Sequence, residues 1–180
     1  NGFKKTILSV ASNQQIDKID LESIYLEYTK IVAQKHNDST SNEWNDSLAK
    51  EGLEEIIKKY LSIEIDPTIT WNYFSQSWKD TIQLFPESLE ALMILSKNYK
   101  LGMVTNGLSE HQRFKIKKFQ LEKYFEFVLI SEELGVQKPD EKIFQIAIQK
   151  MNLEAEKLIH IGDNPNHDII GANNARIFSC

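Results

Sequence analysis

The 180-residue sequence contains a single cysteine, Cys180. A lone cysteine cannot form an internal disulfide, which excludes the disulfide-rich secreted scaffolds and favours a reducing compartment. We find no secretory signal, and no apolar run approaches the roughly 20 residues that a membrane-spanning helix needs. We therefore expect a cytoplasmic protein with no membrane partner. Because the chain starts without methionine and stops soon after an apolar stretch, we also expect both ends to be incomplete.

Positive charge is also scarce. The chain carries 21 Lys and Arg residues against 26 Asp and Glu, a formal net charge of −5. A nucleic-acid partner requires a basic surface against its phosphate backbone, so this balance argues against one. With 41% hydrophobic and 26% charged residues, the composition is that of an ordinary globular protein.

Hydrophobic periodicity predicts two kinds of organisation along the chain. Helices are predicted from about residue 17 to 98, one of them starting at Asp66 as N-cap with Pro67 in its first turn. Strands are predicted at residues 5–10, 101–105, 126–131 and 158–162. Because helices separate the last three strands, we predict an α/β fold with a parallel sheet, interrupted after its first strand by a helical insert.

The carboxyl ends of parallel strands are where such sheets bind ligands. The second strand ends in Thr105-Asn106-Gly107. Asn-Gly is typical of a hairpin turn, but a helix follows here. A hydroxyl and free backbone N–H groups between a strand and a helix form a phosphate cradle, so these three residues are predicted to bind substrate phosphate.

Lys138 stands immediately before Pro139, which we expect to open a helix. Most lysines are simply exposed to solvent. The alternative is an ammonium fixed at the carboxyl edge of the sheet by the proline behind it, where it would neutralise a phosphoryl group.

An acidic pair follows the next strand, where Asp163 comes directly after Gly162 and Asp168 lies further along the same loop. A turn residue and a helix cap would explain the pair structurally. Two carboxylates flanking one tight loop also suit Mg²⁺, which prefers oxygen ligands, and we predict Asp163 and Asp168 as metal ligands. The four histidines do not pair at metal spacing, and His160 is interpreted as a strand residue beneath the site.

Taken together, "LGMVTNG", "QKPD" and "IGDNPNHD" resemble the second, third and fourth motifs of the haloacid dehalogenase superfamily, in its branch with a helical cap. The resemblance implies a Rossmann-like core at residues 1–16 and 89–180, with an inserted helical cap at 17–88. It also implies Mg²⁺-dependent hydrolysis of a small phosphorylated substrate, such as a nucleotide or sugar phosphate, through an aspartyl-phosphate.

The family's first motif, Asp-x-Asp-x-Thr, is expected where "TILSVASNQQID" stands. This alignment places Val10 at the nucleophile and Ser12 at the general acid/base, beside the catalytic Thr105 and Lys138. Valine cannot attack phosphorus, and serine is a poor proton shuttle. Two hypotheses follow: a phosphomonoesterase whose first motif is misrepresented in this stretch, or an inactive pseudophosphatase that binds a phosphorylated ligand or a protein.

Overall fold

A computed structural model describes residues 2–11, 20–38, 46–62 and 66–180. The chain divides into two compact units, Asn1–Gln83 and Leu84–Cys180. None of the helices within the described ranges combines the length and the apolarity needed to cross a membrane.

The first unit is helical. Its helices are α1 (Gly2–Val10), α2 (Leu21–Asp38), α3 (Asp46–Leu61) and α4 (Pro67–Thr81). The predicted start of α4 is confirmed, because the Asp66 carboxylate accepts a hydrogen bond from the Thr68 N–H and Pro67 occupies the first turn. Apolar side chains at helical spacing meet in one core, which includes Phe3, Ile7, Ile24, Tyr28, Val32, Leu53, Ile56 and Leu61.

The prediction of a strand at residues 5–10 is wrong, since this segment lies within α1. Phe3, Thr6 and Ile7 are buried whereas Leu8 is 39% exposed. Burial at spacings of three and four residues is the pattern of a helix, and a strand would bury alternate residues. The segment therefore packs with the helical unit and provides no strand to a sheet.

The second unit alternates strands and helices. In chain order its elements are α5 (Ser88–Asn98), β1 (Gly102–Thr105), α6 (Ser109–Lys118), a 3-10 turn (Glu122–Tyr124), β2 (Phe127–Ile130), α7 (Ser131–Leu134), α8 (Glu141–Met151), a 3-10 turn (Ala155–Lys157), β3 (Ile159–His160), a π-helical turn (Pro165–Ile169), α9 (Ile170–Asn174) and β4 (Phe178–Ser179).

The strands pair in parallel. β1 lies beside β2 with Gly102 opposite Phe127 and Thr105 opposite Ile130. β3 lies beside β4 with His160 opposite Ser179. Parallel pairing across intervening helices confirms the predicted α/β fold class. The strands β1, β2 and β3 are each shorter than predicted, and the described strands form two separate two-stranded sheets where one sheet was predicted.

The core of the second unit positions the loops at the strand ends. Phe144 and Ile143 on α8 are fully buried against Ala172, Ala175 and Ile177, which lie on and just after α9. This packing fixes the N-terminus of α8, next to Lys138, relative to the loop that carries Asp168. The helices therefore fix the position of the segment that carries Lys138 relative to the loop that carries Asp168.

Candidate functional site

The loop after β1 is joined to the segment before α8 by one side chain. Asn106 Nδ2 donates to the Lys138 carbonyl oxygen at 2.8 Å, and the Lys138 N–H donates to Asn106 Oδ1 at 2.9 Å. An amide side chain is suited to this exchange because it carries both a donor and an acceptor. These two hydrogen bonds therefore hold the loop after β1 against the backbone of Lys138.

Gly107 adopts a conformation that favours glycine, with a φ of 129°. A Cβ at this position would stand 2.7 Å from Gln112 Nε2, which itself donates to the Asn106 carbonyl oxygen. The Gly107 N–H donates to the buried hydroxyl of Ser131 at 3.0 Å. That N–H is thus bound within the protein, whereas the contact that the structure describes for the Thr105 hydroxyl is a long one, 3.4 Å to the Asn106 carbonyl oxygen. Of the two, the Thr105 hydroxyl is the donor more available to a ligand.

The Lys138 side chain is only 12% exposed. Its Nζ donates to Asp168 Oδ1 at 2.5 Å. A lysine this deeply placed is ordinarily paired, and here a carboxylate holds the ammonium. Lys138 is consequently fixed at both ends, by Asn106 at the backbone and by Asp168 at the ammonium.

Asp168 is buried, at 4% exposure, and accepts three hydrogen bonds. The donors are Lys138 Nζ, His160 Nε2 at 3.0 Å and the Asn164 N–H at 3.1 Å. Burial by itself raises the pKa of this carboxyl, but the hydrogen bonds from Lys138, His160 and Asn164 outweigh it and lower the pKa to about 2. The carboxylate is therefore ionised throughout the physiological range.

Gly162 is required by the close approach of Asp168. A Cβ on residue 162 would stand 2.3 Å from Asp168 Cγ, closer than any real contact. The Gly162 N–H donates to the Cys180 carbonyl oxygen, which continues the pairing of β3 with β4. Glycine at this position therefore lets the carboxylate lie directly against the strand end.

The two acidic residues of the loop have different surroundings. Asp163 is exposed, whereas both oxygens of Asp168 already accept hydrogen bonds. In the part of the chain that the structure describes, no group of three or more His, Cys, Asp or Glu side chains is placed to hold a metal ion. Mg²⁺ is commonly held by one or two carboxylates together with phosphate and water, so the exposed hard oxygens of Asp163 fit that ion.

Residues 10–180 match the sequence family described as haloacid dehalogenase-like hydrolase. The chain belongs to this family. The predicted family resemblance is thereby confirmed, and the Thr-Asn-Gly, Lys-Pro and Gly-Asp segments all lie within the matched region.

Individual relatives of this haloacid dehalogenase-like chain are similar to it over part of their length. The chain is 30% identical over 119 residues to pyrimidine 5'-nucleotidase YjjG of Escherichia coli, covering 66% of this chain and 53% of that protein. It is 39% identical over 92 residues to the glyceraldehyde 3-phosphate phosphatase of Methanopyrus kandleri, covering 51% and 40% respectively. The chain thus spans about half or less of the length of these curated relatives.

A solved structure shares the fold. The HAD-hydrolase YfnB of Bacillus subtilis, in a crystal form described as bound to magnesium, superposes with a TM-score of 0.77 at 21% identity. The superposition covers 99% of this chain and 78% of that one. At this identity the likeness establishes the haloacid dehalogenase-like fold.

Of the predicted first-motif residues, the structure describes Val10. Val10 ends α1 and is partly buried against the helical core of the first unit. Ser12 lies outside the described residues. Val10 was assigned to the nucleophile position by alignment with a motif expected at the end of the first strand, and this segment is instead α1.

The role of His160 was not recognised from the sequence. The extended backbone that continues from β3 to Gly162 places residues 160 and 162 on the same side, and that side faces Asp168. A histidine two residues before the glycine of this loop is the sequence signal for the contact.

A second network between α6 and α7 was also missed. Glu133 accepts two hydrogen bonds from the Arg113 guanidinium, at 2.8 Å and 2.6 Å, and one from the Ser109 hydroxyl. The Arg113 and Ser109 donors lower the pKa of Glu133 to about 2. The Ser109 N–H donates to Glu132, so the first turn of α6 is bound to carboxylates of the protein itself. This network braces the helix that follows the Thr105 loop.

Proposed function

We propose that this chain acts in a Mg²⁺-dependent phosphomonoester hydrolase whose substrate is a small phosphorylated metabolite. The observation that carries the proposal is the Lys138 ammonium, held by a buried, ionised Asp168 beside the carboxyl end of a parallel strand. An ammonium restrained in this way offers a fixed positive charge to an anionic group, and the carboxyl edge of the sheet is where α/β proteins bind ligands.

The proposed roles follow from the contacts of each residue. Lys138 binds a phosphoryl oxygen, Thr105 donates its hydroxyl to another, and Asn106 holds the two loops at the correct separation. Asp163 would hold Mg²⁺ through its exposed carboxylate. When bound, the ion supplies positive charge that neutralises the phosphoryl group.

The acidic Asp168 has a positioning role in this proposal. Its oxygens accept hydrogen bonds from Lys138, His160 and the Asn164 N–H, so the carboxylate is already paired within the protein. Asp168 orients the Lys138 ammonium and keeps that side chain from turning out into solvent. We therefore propose Asp163 alone as the direct metal ligand of the pair.

The proposed substrate class rests on the relatives. The names of two of them specify a pyrimidine 5'-nucleotide and glyceraldehyde 3-phosphate, both phosphomonoesters. We propose a nucleotide or sugar phosphate as the substrate, and residues 17–88 as the inserted helical cap. Val10 is not among the proposed catalytic residues, because the strand end at which it was assigned lies in α1.

The test is a phosphate-release assay with p-nitrophenyl phosphate, nucleoside monophosphates and sugar phosphates, with and without Mg²⁺. Orthophosphate binding is measured alongside by calorimetry, and Lys138→Met is the matched variant. Mg²⁺-dependent release that Lys138→Met abolishes supports the hydrolase. Phosphate binding without release supports the inactive binding module, and the absence of both contradicts both functions.

A further inference from the structure

The Lys138 ammonium is held at the end of a short relay of hydrogen bonds. Asp168 binds the ammonium through Oδ1, and the same oxygen lies 3.0 Å from His160 Nε2. Because Asp168 is ionised, its oxygens only accept hydrogen bonds, so His160 Nε2 carries the proton and donates it. The ammonium and the imidazole thus share one carboxylate oxygen, Asp168 Oδ1.

His160 is well placed to hold a carboxylate still. Its backbone is part of the β3–β4 pairing, where the His160 carbonyl oxygen accepts from the Cys180 N–H at 2.9 Å. Its ring meets the buried Phe144 ring edge-on, with centroids 5.1 Å apart and planes at 90°. The side chain is 14% exposed, so it has little freedom to turn away.

Asp168, by contrast, comes from the π-helical turn after β3. The only backbone group that donates to its carboxylate, among the residues described, is the Asn164 N–H on Oδ2. Without His160, Oδ1 would retain only the lysine, whose four-carbon stem allows many orientations. The carboxylate and the ammonium would then move together.

We propose that His160 is a positioning residue for phosphate binding: its Nε2–H fixes Asp168, which in turn fixes the Lys138 ammonium. The effect on phosphate binding rests on the proposed function, because orienting the ammonium changes affinity only if Lys138 binds a phosphoryl group. Its structural part, the dependence of Lys138 on His160, stands independently of any catalysis.

The structural part is tested by labelling lysines with acetic anhydride and measuring each site by mass spectrometry. His160→Leu removes the donor, His160→Gln keeps an N–H donor at a similar reach, and Phe144→Leu disturbs the ring contact while keeping the histidine. Lys157, whose side chain is 66% exposed, is the internal reference. We expect His160→Leu to raise the labelling of Lys138 relative to Lys157 by about 5- to 20-fold, the order expected when a hydrogen bond to a charged group is lost.

We expect His160→Gln to restore labelling to within about twofold of the unmodified protein, and Phe144→Leu to change it less than His160→Leu does. Equal labelling in His160→Leu and the unmodified protein would overturn the proposal. So would a His160→Gln variant that behaves like His160→Leu, or a Phe144→Leu variant with the same increase, since packing alone would then explain the effect.

The functional part uses orthophosphate as the probe. We expect its dissociation constant to rise by about 5- to 20-fold in His160→Leu and to recover in His160→Gln. If the unmodified protein binds no phosphate, the proposed function fails while the labelling result still decides whether His160 positions Lys138. If phosphate binds with the same affinity to the unmodified protein, His160→Leu and His160→Gln, the positioning role in binding is wrong.

Discussion

Asn106 and Lys138 lie 32 residues apart in sequence, and the side chain of the first makes both a donor and an acceptor bond to the backbone of the second. The contact links the end of β1 to the start of α8, two elements that the sequence places in separate βα units. It fixes the base of the lysine, and Asp168 fixes its tip. The Asn106 side chain therefore couples the loop after β1 to the segment before α8.

Asn106→Ala is expected to lower the free energy of unfolding by about 1–3 kcal/mol, because two partly buried backbone groups of Lys138 lose their partner. Urea denaturation measures the change. Asn98→Ala is the matched control, since Asn98 makes one exposed bond to the Ile94 carbonyl oxygen and its loss is expected to cost under about 0.5 kcal/mol. Equal effects of the two substitutions would show that the Asn106 bridge contributes nothing beyond an ordinary surface bond.

The lowered pKa of Asp168 predicts that the free energy of unfolding falls in acid. Burial alone raises the pKa of this carboxyl, and the bonds from Lys138, His160 and Asn164 reverse that effect and lower it from 3.8 to about 2. A depressed pKa means that the stabilisation is complete above about pH 4 and disappears as the pH falls towards 2. The expected loss across that window is about 2 kcal/mol.

Asp168→Asn is the variant that isolates this contribution. We expect it to be less stable than the unmodified protein at pH 7, because the Lys138 charge is left without its carboxylate. The difference in unfolding free energy between the two proteins should narrow between pH 4 and pH 2, as measured by urea titrations at each pH. A difference that is constant with pH would contradict the assigned pKa of Asp168. Glu133 titrates in the same range in both proteins, so its contribution cancels when the two unfolding free energies are subtracted.

Gly162→Ala tests the close approach at the strand end. Its Cβ would stand 2.3 Å from Asp168 Cγ, so the carboxylate must move, and we expect a loss of about 1–3 kcal/mol together with weaker phosphate binding. Gly135→Ala is the control: nothing lies within 4 Å of its Cβ position, but its φ of 64° makes alanine unfavourable by about 1 kcal/mol. Calorimetric titration with orthophosphate separates the two, since only Gly162→Ala should weaken binding.

The helix at the start of the chain is tested by two neighbouring positions. Ile7 is 1% exposed and Leu8 is 39% exposed. We expect Ile7→Ala to lower the free energy of unfolding by about 2–4 kcal/mol and Leu8→Ala by under about 1 kcal/mol, measured by urea denaturation. A larger loss at Leu8 than at Ile7 would contradict the burial pattern of α1.

Local pattern was sufficient for most of the second unit. The apolar run before Thr105 is bounded by turn residues and forms β1 as expected. The helix expected to open at Pro139 is α8, which begins at Glu141, because the Asp140 carboxylate caps it by accepting the Lys142 N–H. The start of the chain was not predictable from local pattern, because the pair Ile7-Leu8 is compatible with a strand or a helix, and only packing of Phe3 and Ile7 into the helical core distinguishes them.

The contacts that define the candidate site depend on distant parts of the chain. Thr105, Lys138 and the acidic pair were identifiable because each stands at an element boundary. The exchange between Asn106 and Lys138, and the bond from His160 to Asp168, require tertiary folding to bring the partners together. Residue types alone also could not distinguish Asp163 from Asp168, since the two differ in burial and hydrogen bonding.

That difference gives the last prediction, which concerns metal binding. Asp163 is exposed, so Asp163→Asn should change the free energy of unfolding by under about 0.5 kcal/mol. It should also weaken Mg²⁺ binding in the presence of orthophosphate by about tenfold or more, because the amide lacks the charge that a hard cation prefers. Calorimetric titration with MgCl₂ at fixed orthophosphate measures this effect, with Glu156→Gln, an exposed carboxylate before β3, as the control for general loss of charge. Asp168→Asn should instead lower the free energy of unfolding strongly, so that any loss of Mg²⁺ affinity is accompanied by a large loss of stability. If Asp163→Asn binds Mg²⁺ as the unmodified protein does, the exposed carboxylate is not a ligand and the proposed division of roles between the two aspartates is wrong.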